Sequence, residues 1–155
     1  MTKQNRSSYS PAFSIFFGGM MAGTLDIIYA FVKTGLPPLR VLQSVASGLL
    51  GSDAFQGGTS TAALGLFCHM AISIGAAAVF FMISRQFSLL IRKPLFSGAV
   101  FGICVYLFMN FIVLPLSAVP FKMVHDASSF LYGFASHAIL FGIPIAYCIR
   151  RYGSK

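Results

Sequence analysis

Four long apolar runs separated by shorter polar stretches set the pattern of the chain, at about residues 11–32, 61–83, 95–116 and 129–149. At about 1.5 Å of rise per residue, a helix of each length crosses a hydrocarbon core of about 30 Å. The first run could also be the apolar core of a cleaved signal peptide. Gly18-Gly19 would break such a core early, and the run continues well past Gly23, so it is read as a span. Pro94 stands at the start of the third run, where a missing N–H costs nothing. Pro115 and Pro120 close that run, and Pro144, inside the fourth, predicts a kink there.

The connections differ in kind. Residues 84–93 are short and basic, whereas 33–60 are long and contain a helix of their own at 38–50. In that segment Leu42, Val45, Ala46, Leu49 and Leu50 share one face, and Arg40, Gln43, Ser44 and Ser47 share another. Too short to span, it is expected to lie on the outer membrane surface. Gly51 and the pair Gly57-Gly58 then let the chain turn back into the bilayer. The whole chain, 1–155, is one integral domain: an all-α membrane protein, a four-helix transmembrane bundle with an outer interfacial helix.

The small residues repeat. Gly19-x-x-x-Gly23 in the first span is matched by Gly98-x-x-x-Gly102 in the third. Gly65-x-x-x-His69 in the second is matched by Gly133-x-x-x-His137 in the fourth, and Gly75 and Gly142 follow the two histidines. This order suggests two parallel hairpin repeats. Lipid does not drive helices together by hydrophobicity, so close approach over small residues does. Gly19, Gly23, Asp26 and Ala30 form one row, and Gly98, Gly102, Tyr106 and Asn110 another; both read as packing seams, with contact to a second copy as the other use.

Composition narrows the class further. Hydrophobic residues make up 57% and charged residues 9% of the chain, against about 25% charged in soluble domains. The net charge of +8 would point to nucleic acid in a soluble protein, but here the cations flank apolar runs, which excludes that partner in favour of the lipid bilayer. With four spans, one side holds Lys3, Arg6, Arg85, Arg92, Lys93, Arg150, Arg151 and Lys155, and the other Lys33, Arg40 and Lys122. That bias places both termini in the cytoplasm. There is no Trp, and Tyr9, Tyr29, Tyr132 and Tyr152 near span ends can form the aromatic belt. Cys68, Cys104 and Cys148 lie in apolar runs without a C-x-x-C pair and read as small fillers.

Candidate chemistry reduces to one strongly polar side chain per span: Asp26, His69, Asn110 and His137. Asp26 and Asn110 stand six residues before the outer ends of their spans, and His69 and His137 eight residues in from the outer starts of theirs. All four therefore share a depth of about 9–12 Å below the outer surface of the core. A buried acid costs several kcal/mol unless neutralised or paired, so these groups are expected to satisfy one another. Such a layer is either interhelical glue or a binding or translocation site for a proton, ion or small ligand. No cofactor is demanded by the spacing. The alternatives are a transition metal on His69 and His137, or a haem held by both, with Gly65 and Gly133 leaving room for the ring and Lys33, Arg40 or Lys122 meeting its propionates. His125, beside Asp126 in the outer loop, reads as solvated.

No nucleotide-binding glycine loop, paired carboxylates or H-E-x-x-H is present, so nothing marks the chain as an enzyme. Three functions stay open: a polar binding or translocation site in the bundle, a structural or assembly partner using the glycine seams, and a bis-histidine haem electron carrier. A homo-oligomer or another membrane protein is the partner the second would need.

The stretch Gly18-Gly19-Met20-Met21-Ala22-Gly23-Thr24-Leu25-Asp26 resembles a group of small bacterial inner-membrane proteins without assigned function. The segment from Pro38 to Gly51 is similar to theirs, as is Tyr106 to Ser117 with Met109-Asn110-Phe111 and Leu114-Pro115-Leu116-Ser117. The resemblance covers most of the chain and implies a bacterial inner membrane, multi-pass; it implies no activity, substrate or cofactor.

Overall fold

The structure, a computed structural model, describes residues 10–120 and 127–153. Lys3, Arg6, Lys122, His125, Asp126 and Lys155 lie outside the described residues. Four helices are long and apolar enough to cross a membrane: α1 (Pro11–Thr34), α3 (Gly58–Gln86), α5 (Pro94–Leu116) and α6 (Ala127–Gly153). Between them lie α2 (Pro38–Leu50) and a single turn, α4 (Leu89–Arg92). Among the described residues there is no strand, so the all-α bundle is the fold.

Local chemistry explains where the helices begin and end. The Ser10 hydroxyl accepts from the Phe13 N–H at 3.2 Å, and Pro11 opens α1 with its φ already helical. Gly35, at φ 64°, stops α1 in the left-handed conformation and returns its N–H to the Phe31 carbonyl. Pro38 and Pro94 open α2 and α5 in the same way as Pro11.

The prolines inside the spans act through a wider turn. The helix continues past Pro115 and stops only at Leu116. In α5 the turn Met109–Val113 has π geometry and ends two residues before Pro115; in α6 the turn His137–Gly142 does the same before Pro144. A proline ring collides with the carbonyl four residues back, here Phe111 and Leu140. An i→i+5 turn swings those carbonyls aside while keeping the backbone bonded. The kink expected at Pro144 is thus accommodated by a π turn that begins at His137.

The four spans alternate in direction, and the two described ends meet, with Gly153 against the Ser14 hydroxyl. This is the termini end of the bundle; the segment 35–57 marks the opposite, loop end. α6 is the most buried span and packs on both α1 and α5, while α3 packs on α2 and α1. α3 and α5 meet through an edge-to-face contact of Phe80 and Phe101, with ring centres 5.0 Å apart. The core is one cluster, Ala22, Ala77, Phe80, Phe141, Ile145, Ala146 and Ile149, filling the bundle from its middle to the termini end.

The glycine seams are intrachain. A side chain at Gly19 would strike the Ile74 backbone, and one at Gly23 would strike Ser73 and Met70, so the first seam seats α1 on α3. Gly98 abuts Gly142 and Ile143, and Gly102 abuts the His137 carbonyl, so the second seats α5 on α6. Counted from each histidine the two hairpins share a register. They are not related as whole halves, because α6 packs along α1 whereas α3 barely meets α5. Gly75 has no heavy atom within 4 Å of an added Cβ, so it is no counterpart of Gly142, which is packed against Gly98 and Gly102. Gly65 is covered by the Leu42 carbonyl of α2 rather than by another span, and Gly133 by the Tyr106 ring.

α2 keeps the predicted bounds but not the predicted facing. Gln43 and Ser47, expected to face water, are buried at 1% and 0% exposure. The Gln43 amide donates to the Gly58 carbonyl at 3.0 Å and approaches the Thr61 hydroxyl at 3.4 Å, holding the turn into α3. Ser47 is satisfied locally, donating to the Ser44 carbonyl at 2.7 Å. A hydrogen bond of 2.9 Å from Ala118 N–H to the Gly48 carbonyl ties α2 to the end of α5 as well. With the native cysteines removed, a polar thiol reagent given access to both membrane faces is expected to label Arg40→Cys and to spare Gln43→Cys and Ser47→Cys. Equal labelling of all three would mean that α2 is not docked on α3.

Candidate functional site

The polar side chains meet in part. Asp26, on the same face of α1 as Gly19 and Gly23, brings its Oδ1 to 3.7 Å from Nδ1 of His137 on α6. The pair is recessed but not sealed, with side-chain exposures of 16% and 20% for Asp26 and His137. His137 opens the π turn of α6, so its position depends on the same distortion that accommodates Pro144. The Ser136 hydroxyl lies 3.4 Å from the same Nδ1 and donates to the Gly133 carbonyl at 3.1 Å. The His137 ring is held between the edge of Tyr106, centre to centre 5.1 Å, and a stacked Phe141 at 5.8 Å. The ring is thus flanked on two sides, with Nδ1 on the side of Asp26.

His69 joins through the backbone. Its Nε2 is 2.9 Å from the Gly23 carbonyl, three residues before Asp26. A carbonyl can only accept, so Nε2 carries the proton of this bond. The missing side chain at Gly23 is what lets α3 come close enough to make it. The Ser73 hydroxyl then donates to the His69 carbonyl at 2.8 Å, one turn closer to the core. Toward the loop end the Lys33 ammonium rests 5.6 Å from the centre of the Tyr132 ring.

Asn110 is placed differently. It is buried, but its amide donates at 2.8 Å to the Tyr106 carbonyl, four residues back on its own helix. The equal depth read from the sequence does not bring it to Asp26. Tyr106 takes the place in the site that Asn110 was expected to fill, packing into the notch at Gly133 and against His137. Tyr106 was legible only as a member of a packing row, and Ser136 only as the neighbour of a histidine.

The arrangement does not fit a haem. The room expected beside Gly65 is taken by α2, that beside Gly133 by Tyr106, and His137 is closed in by two aromatic rings. Among the described residues, no three His, Cys, Asp or Glu side chains converge as a metal would require. What the pair can do is share or exchange a proton across the α1–α6 seam, or present an acceptor and a ring nitrogen to a small polar ligand.

Comparison with protein-family models, with curated proteins and with solved structures finds no match. What the structure carries is a bundle with four membrane-capable helices.

Proposed function

We propose that this chain is an integral protein of a bacterial inner membrane, with both termini in the cytoplasm and a small proton-linked or polar-ligand binding site within the loop-end half of the bundle. The observation that carries the reading is the Asp26–His137 pair, an acid and an imidazole from different spans, 3.7 Å apart and still accessible. Ionisable groups inside spans are costly and mark functional sites by default. Toward the termini end the neighbouring positions are Ala22, Phe141, Ile145 and Ala146, at 0–3% exposure. That packed apolar layer favours a site reached from one side over a path through the membrane.

The rival reading, a structural partner docking through the glycine seams, is disfavoured by the way this chain's own helices occupy Gly19, Gly23, Gly98 and Gly102. Replacing His69 and His137 together by glutamine separates the two readings. A binding site is expected to lose its deletion-complementation phenotype while the protein still accumulates in the membrane. Full complementation by a folded double variant would refute the site.

Orientation follows from the eight-to-three basic bias. A reporter active only outside the cytoplasm is expected to be silent when fused at either end. Activity at one end alone would mean an odd number of spans.

A further inference from the structure

α3 and α5 stand apart between two points of contact. Toward the termini end they meet through Phe80 and Phe101. At the loop end α2 bridges them, its Leu42 carbonyl lying over Gly65 of α3 and its Gly48 carbonyl taking the Ala118 N–H that follows α5. Between these contacts the two spans barely meet. The side chains there report the same opening. In steps of three and four from Phe80, Ala76, Ile72 and His69 lie on one side of α3. In the same steps from Phe101, Cys104 and Phe108 lie on one side of α5. A closed pair of helices would bury both rows. Instead Ile72 and Phe108 are exposed at 42% and 53%, Cys104 is exposed, and Ala76 and His69 are half-buried. In a bilayer, an opening in the flank of the bundle faces hydrocarbon and not water.

The groups nearest to this opening are polar. His69 belongs to the α3 row itself. It bonds the Gly23 carbonyl, three residues before Asp26, and Asp26 stands 3.7 Å from His137. Nε2 of His69 carries the proton of its bond to Gly23, so Nδ1 of the neutral ring is an acceptor. An ionised Asp26 also only accepts. Acceptors of this kind call for a donor, and the carboxylate repels an anionic head group. An amphiphile arriving from the lipid with an uncharged hydroxyl meets both demands: its apolar body suits Ile72, Ala76 and Phe108, and its hydroxyl has acceptors to donate to.

We infer that the opening between α3 and α5 is a lateral entry for a membrane-dissolved alcohol or phenol, whose hydroxyl donates to Asp26 or His69. This rests on the reading of Asp26, His69 and His137 as a ligand site, and adds to it the class of ligand and the route by which it arrives.

A long-chain alcohol with a diazirine in its chain, photolysed with the full chain in phosphatidylcholine vesicles, tests it. Cross-links are expected on peptides that cover residues 69–76 and 104–108. Excess hexadecanol is expected to remove them, and ionised palmitate to leave them. Ile72→Trp, which fills the opening from an exposed position, is expected to weaken the competition by hexadecanol about tenfold, the effect of overfilling a packed site by part of a side chain. Val32→Trp, at an exposed position of α1, is expected to change nothing. Cross-links spread evenly over the four spans and insensitive to hexadecanol would overturn the proposal on the wild type alone. Equal competition by palmitate, or an unchanged response from a folded Ile72→Trp protein, would also overturn it. The cross-link reads binding without any phenotype, so the two failures are distinct. Full complementation by the His69 and His137 double glutamine variant refutes the site. Lost complementation without a hexadecanol-sensitive cross-link keeps the site and refutes the entry from lipid.

Discussion

Gly102→Leu is expected to abolish the folded bundle, and Gly102→Ala to lower its stability by about 1–3 kcal/mol or more, the range of overpacking in a filled core. The reason is geometric. A Cβ at Gly102 would fall on the carbonyl of His137, and beside it Gly98 and Gly142 already stand backbone to backbone. A clash with the far end of a flexible side chain is relieved by a rotamer change. Here the obstacle is main chain on both helices, so α5 and α6 must separate along the seam. Separation also shifts the π turn that carries His137 and loosens its hold on Asp26. Gly75→Ala is the matched control. Nothing lies within 4 Å of its added Cβ, so it is expected to leave the fold intact and to gain roughly 0.5–1 kcal/mol from helix propensity. Thermal unfolding in detergent, followed by circular dichroism, checks both. Equal stability of Gly102→Ala and Gly75→Ala would mean that the α5–α6 seam is not as close as described.

Span positions could be read from the sequence because one physical constraint sets them. A run must match the hydrocarbon thickness and satisfy its backbone internally, so hydropathy alone located four helices, and Pro94 marked the start of the third. Facing was harder to read. The split of α2 into apolar and polar faces assumed water on one side, whereas Gln43 is needed inside to hold Gly58 and Thr61. The glycine pairs announced close approach but not the neighbour approached; Gly65 received α2 and Gly75 received nothing. Depth likewise told which side chains were level, not which ones met. Asn110 reads as level with Asp26, yet its amide is taken by the carbonyl four residues back on its own helix. Asp26 and His137, by contrast, stand 3.7 Å apart across the α1–α6 seam.

Asp26→Asn is expected to be mild for folding and severe for function, and Asp26→Leu to damage both. Asparagine keeps the shape of the carboxyl and most of its hydrogen-bonding capacity, and the contact to His137, at 3.7 Å, is too long for a strong hydrogen bond to be lost. What asparagine cannot do is take up or release a proton, so a proton-linked site stops working while the bundle stands. Leucine leaves the Nδ1 of His137 facing an apolar side chain inside the bundle, at a cost of about 1–3 kcal/mol. Because that cost arises from His137, it is expected to be non-additive: Asp26→Leu combined with His137→Leu should be less destabilised than the sum of the single changes. Unfolding in detergent for the three variants, with deletion complementation for Asp26→Asn and Asp26→Leu, reads every arm. An Asp26→Asn protein with full activity would reduce the pair to interhelical glue. An Asp26→Leu protein as stable and as active as the wild type would show that Asp26 and His137 form no site at all.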